Sequence, residues 1–239
     1  MRPDPYSWSW NPEALVAIPA LVIAYAYGVR RTGVARWRIA CFSAAVLLLL
    51  AVTITPLETI ALEYLLSVHL LQNVVLAEWA PLLLALAVPP GLAARAPRVP
   101  AIPALLAWVA NYGLWHLPWA YDTALRHPHT LLHLEHALYF LTGLLLWWPV
   151  VHGALGPGAK AAYVFAAFLL ASPIGLLMAL VPDPIYDFYA DGPGLWGLSP
   201  ILDQQIAGVS MSLEQAVVFF AAFAVFFARF FKEQDAAEA

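Results

Sequence analysis

The sequence predicts an all-α membrane protein: one domain over residues 1–239, built as a bundle of seven transmembrane helices. Three observations carry that expectation. Apolar residues make up 63% of the chain and charged residues 11%, where a soluble domain has about 45–50% and about 25%. The excess falls in long unbroken runs, without the alternation of a barrel strand. In hydrocarbon such runs satisfy their backbone groups only as helices. Finally, when seven spans are drawn, the basic residues sort to one side of the membrane.

A span needs about 20 apolar residues. The expected spans are 13–29, 38–55, 60–88, 101–121, 129–151, 160–181 and 200–230. Arg2 alone precedes the first run and the arginine pair follows it, the reverse of a secretory leader, so the first run is expected to be a retained helix. The third run is long, and Pro81 is positioned to kink it. Pro128 suits the first turn of the fifth helix. Arg30, Arg31, Arg36 and Arg38 fill the first connection, Arg95 and Arg98 the third, Lys160 the fifth, and Arg229 and Lys232 follow the last span. Only Arg2 and Arg126 fall on the other side. The positive-inside rule then puts the N-terminus outside and the C-terminus in the cytoplasm, for a multi-pass cell-membrane protein. Tyr6, Trp8 and Trp10, with Tyr186, Phe188, Tyr189 and Trp196, suit the outer headgroup level. Residues 182–200 read as an ordered outer loop with a short surface helix, and the tail from Glu233 reads as disordered.

Composition narrows the function. The net charge of −4 is modest and points to no nucleic-acid partner. Cys41 is the single cysteine, which leaves no intrachain disulfide and no Cys-x-x-Cys metal or redox motif. The only lysines, Lys160 and Lys232, sit at span ends, where neither suits a retinal Schiff base. No His-Glu-x-x-His is present for a membrane metallohydrolase.

Ionisable groups within spans are costly and usually face the bundle interior. Six of the seven histidines map to the outer half or outer loops, and only His152 is cytoplasmic. His69 lies about nine residues into the third span, roughly 14 Å deep, with Gln72 and Asn73 on its face. His116 ends the fourth span. His129, His133 and His136 form a stripe at i, i+4 and i+7, and Glu135 lies off it. The seventh span opens on Asp203-Gln204-Gln205 and carries Gly208, which allows close helix approach, and the thioether of Met211.

Imidazole is the commonest metal ligand, so His69, His116, His133 and His136 form a candidate metal site. Asp203 or Asp122 would serve as a further ligand or orienting partner, and Met211 as a soft ligand. Histidines alone do not choose copper over zinc, and soft Cu(I) favours sulfur. His127, His129 and His152 read as ordinary hydrogen-bonding groups. Glu63, Glu78 and Glu214 lie inside spans without an assigned role. A cytochrome holding haem b on histidines of two helices and a metal transporter remain alternatives, as does a homo-oligomeric state.

Several of these residues also carry a resemblance. His116-Leu117-Pro118, Tyr121-Asp122, Ala124-Leu125, His133-Leu134-Glu135-His136 and the run Gly143 to Val150 resemble the CtaG family of cytochrome c oxidase assembly factors. This is the polytopic family associated with caa-type oxidases, not the single-span copper chaperone that shares the name. His69 with Gln72 is similar to the family's third-helix motif, although Asn73 stands where the usual pattern has a second histidine. Asp203-Gln204-Gln205 with Gly208 and Met211 fits its last helix. The resemblance implies a non-enzymatic role in maturing a haem-copper oxidase, with an oxidase subunit as partner and copper as the bound or delivered ion.

Overall fold

The computed structural model describes residues 2–30 and 33–238. Arg31, expected among the basic residues of the first connection, lies outside the described residues. No strand is present among them. The principal helices are α1 (Pro12–Val29), α2 (Arg36–Ile54), α3 (Pro56–Glu63), α4 (Leu66–Ala87), α5 (Ala101–Trp115), α6 (Pro118–Arg126), α7 (Leu131–His152), α8 (Pro157–Leu180) and α9 (Pro200–Glu238). Single helical turns cover Pro90–Ala93 and Asp187–Ala190. Among the described residues, α2, α4, α7, α8 and α9 are long and apolar enough to cross a membrane, while α1 and α5 are apolar but shorter.

Prolines set several boundaries. Pro56, Pro118, Pro157 and Pro200 open α3, α6, α8 and α9, where a missing N–H costs nothing. Leu117, ahead of Pro118, is extended, because the proline ring disfavours helical geometry in the preceding residue. The run expected over 101–121 is therefore two helices. Pro128 lies outside α7, which begins three residues later, because His127 to Thr130 form a turn instead of a first helical turn. The tail expected to be disordered is helical: α9 continues through Glu238.

The third expected span is also divided. Tyr64 and Leu65 leave helical geometry between α3 and α4. This break leaves Glu63 half-buried at the end of α3, 3.8 Å from Arg2 in an ion pair. Within α4, residues Val75–Trp79 form a π-helical turn. Pro81 cannot donate to the Ala77 carbonyl, and its ring crowds that oxygen; a wider turn absorbs the mismatch. Gly143 of α7 packs against this turn, and a Cβ there would run into the Ala77 carbonyl and the Pro81 ring.

α4 is the central helix. In its most apolar window 72% of residues are buried, against 22% in α2. α8 and α9 pack closely through Gly175 and Gly208, where a Cβ on Gly208 would collide with the Gly175 carbonyl and the Ala179 nitrogen. The close approach expected of Gly208 is thus present. Chain ends alternate between the two ends of the bundle. The Ser9 amide donates to the Ile54 carbonyl, joining the entrance of α1 to the exit of α2. At the other end Arg38 reaches the exit of α4.

Candidate functional site

At one end of the bundle Asp203, in the first turn of α9, reaches the N-terminus of α4. Its carboxylate accepts from the Leu66 amide (2.7 Å), the Ser67 amide (3.2 Å) and the Ser67 hydroxyl (2.5 Å). Helix N-termini leave amides without intrahelical partners and favour negative charge. Asp203 therefore caps a neighbouring helix across 137 positions of sequence. Asp122 acts alike, accepting from the amides of Asp187 (3.2 Å) and Phe188 (3.1 Å). Gln204 accepts from the Ile185 amide at 2.6 Å and donates to the Met178 and Asp183 carbonyls. Asp122 and Gln204 order the loop after α8. They also pull Tyr186 and Tyr189 into the interior, a correction to their expected place at the headgroup level. Tyr6, Trp8, Trp10 and Trp196 are exposed as expected.

α4 then presents His69 to α7. The rings of His69 and His136 face each other edge-on, 5.8 Å between centroids. His116 lies within electrostatic reach of His69, and His133, half-buried, within reach of His136. His129 sits beyond, its ring 6.4 Å from that of His133. His69 is fully buried.

Hydrogen bonds assign the ring protons. His69 Nδ1 is 2.8 Å from the Tyr189 hydroxyl. That hydroxyl donates to the Ala61 carbonyl at 2.6 Å, and burial holds the phenol well above its ordinary pKa, so it keeps its proton. Tyr189 must therefore accept from His69 Nδ1–H. In the neutral ring this leaves Nε2 with a lone pair. His116 repeats the arrangement: Nδ1 is 2.8 Å from the Tyr112 carbonyl, which only accepts. The Nε2 atoms of His69, His116 and His136 are buried without a hydrogen-bond partner. Two imidazoles thus have Nε2 left as the unprotonated nitrogen by a partner on Nδ1, an arrangement metal-binding histidines also use.

Of the other expected ligands, Met211 Sδ accepts from the Tyr112 hydroxyl at 3.0 Å. Among the described residues no three His, Cys, Asp or Glu side chains converge as one metal-holding group. Glu135 Oε1 accepts from Asn73 at 3.2 Å, so it steadies α4 rather than a histidine ring. Sequence reasoning passed over Tyr189, Tyr112 and Tyr139, the hydrogen-bond partners of the imidazoles and Met211. Tyr189 and Tyr139 act from other elements, and Tyr112 reaches Met211 across 99 positions, so spacing does not mark these contacts; only the Tyr112 carbonyl, one helical turn before His116, is local. A cleft of about 990 Å³ opens near Arg98, Trp148 and His152, away from these groups.

A family model described as cytochrome c oxidase caa3 assembly factor matches residues 23–233. No curated protein and no solved structure matches the chain.

Proposed function

The chain belongs to the cytochrome c oxidase caa3 assembly factor family, and from that premise we propose that it serves a bacterial haem-copper oxidase by binding copper in its histidine layer. The observation that supports this most is the His69–His136 pair. The two rings meet edge to face, both Nε2 atoms are buried and unpartnered, and the lone pair on His69 is assigned by Tyr189. Two neighbouring imidazoles with unpartnered Nε2 atoms suit copper, and the half-buried His133 stands beside His136 on the more open side. Asp203 holds His69 in place indirectly, by capping the helix that carries it. The protein has no turnover of its own in this reading; it holds the ion for a docked oxidase subunit.

The reading includes seven passes, with the N-terminus outside and the C-terminus in the cytoplasm. Its support is the alternation of the seven apolar helices between the two ends, together with the basic residues gathered at one of them. The histidine layer then lies in the outer half of the membrane, near the depth at which a buried oxidase copper is loaded.

The test compares the purified chain with a His69→Ala/His136→Ala variant. Metal content is measured by elemental analysis, and copper loading of the oxidase is measured in cells that make each. The variant is expected to lose an ion per chain and to leave the oxidase copper-deficient. Normal loading of the oxidase by the variant would overturn the proposal. A Soret band in the purified protein would favour haem instead.

A further inference from the structure

Below the His69–His136 pair, α4, α5, α7 and α9 enclose a second polar group that the sequence left without a role. A cavity of about 10 Å³, room for one water-sized particle, is lined by Asn73, Glu78, Tyr112, His116, Tyr139 and Met211 among others. All but Tyr112 and Tyr139 are polar or sulfur-bearing groups with capacity left for a ligand. Asn73 Oδ1, Glu78 Oε2 and His116 Nε2 have no hydrogen-bond partner, and the three residues are more than nine-tenths buried.

The protons near this cavity are already committed. The Asn73 amide donates to Glu135. Gln215 Nε2 donates to Glu78 Oε1 at 3.1 Å and to the Tyr112 hydroxyl at 3.0 Å. That hydroxyl in turn donates to Met211 Sδ. His116 directs Nδ1–H at the Tyr112 carbonyl, with the Tyr139 hydroxyl 3.4 Å away. Three residues with unpaired acceptors therefore line one small cavity together with a thioether. A water molecule has two protons to offer three acceptors, whereas a cation serves all of them. A buried acceptor left unpaired keeps its full desolvation cost.

The charge also matches. Glu214 of α9 lies beside Glu78 and accepts from the Trp79 indole. Two neighbouring buried carboxyl groups favour a cation in a medium where an uncompensated negative charge is costly. Imidazole and thioether donors select a soft ion.

We propose that this cavity is a second, deeper site for a soft monovalent cation, Cu(I) or its analogue Ag(I), held by Glu78, His116 and Met211. It rests on the copper-binding reading for its place in the protein's work, but its donors are separate from the His69–His136 pair. The deeper site stores an ion under the outer one.

The test is an anaerobic titration of the full-length protein in detergent with Cu(I), in competition with a chromophoric chelator. The wild-type chain is expected to take two ions. Glu78→Gln and Met211→Leu are each expected to take one, with at least a tenfold loss of affinity for the other. Both substitutions conserve size, and thermal unfolding of each variant confirms the fold. His69→Ala/His136→Ala is expected to keep one ion, and its X-ray absorption is expected to show a sulfur scatterer that Met211→Leu removes. Titrations of Glu78→Gln and Met211→Leu that match wild type would overturn the deeper site and leave the outer pair standing. A wild-type chain binding one ion, lost in Glu78→Gln and kept in His69→Ala/His136→Ala, would overturn the outer pair instead. Binding of no ion would overturn both.

Discussion

The two ends of α4 are finished by opposite charges, and the histidines near them are used in opposite ways. At its N-terminus the carboxylate of Asp203 accepts from two backbone amides. At its C-terminus Arg38 donates to the Leu86 (2.6 Å) and Val88 (2.7 Å) carbonyls. Each charge complements the helix dipole and satisfies groups the helix leaves open. Beside Arg38, His152 directs Nε2 at the Ala85 carbonyl at 2.8 Å, so its ring is spent on holding the helix end. At the other end, His69 and His116 are held through Nδ1, and Nε2 is left without a hydrogen bond. The same residue type is a fastener at one end and keeps a nitrogen unpartnered at the other. The difference is which nitrogen meets the protein.

That comparison is open to direct attack. Asp203→Ala strikes the fastening of the histidine end. It removes a buried carboxylate with three donors and is expected to cost about 2–3 kcal/mol of stability, read by thermal unfolding in detergent. Copper per folded chain is expected to stay constant. Copper lost without a change in unfolding would instead make Asp203 a ligand. Tyr189→Phe tests the assignment of the His69 proton. Without that acceptor the ring is free to turn and to change tautomer, and Cu(I) affinity is expected to fall about ten- to a hundredfold. An unchanged affinity would show that Tyr189 does not govern His69. His152→Ala should have the smallest effect, about 1 kcal/mol for one hydrogen bond to a carbonyl, with metal content unchanged. Loss of metal in this variant would break the contrast between the two ends.

Much of the framework is legible in the sequence. The apolar runs mark the long helices to within a few residues, because hydrocarbon leaves the backbone few alternatives. Prolines mark where α3, α6, α8 and α9 begin. Spacing also places His133 and His136 near one another on α7, and the depth of His69 suggests that it meets them. The breaks are less visible. Nothing at Tyr64-Leu65 announces an interruption inside an apolar run, and the π-helical turn before Pro81 depends on Gly143 packing against it. The roles of the acidic groups are less visible still. Asp203 looks like a ligand because it is acidic and near the histidines in depth, yet it caps α4. Glu78 looks unexplained because its partners, Gln215 and Glu214, stand on a helix more than 130 positions away.

By itself the sequence determined the helical fold class, the apolar helices and the clustering of histidines toward one end. These follow from local chemistry: the solvent each run prefers, and the backbone each proline permits. Only the tertiary structure decided which nitrogen of each histidine is committed, which carboxylates are caps, and which acceptors surround the deeper cavity. A hydrogen bond is settled by atoms a few ångströms apart, and here those atoms come from helices that no local pattern brings together.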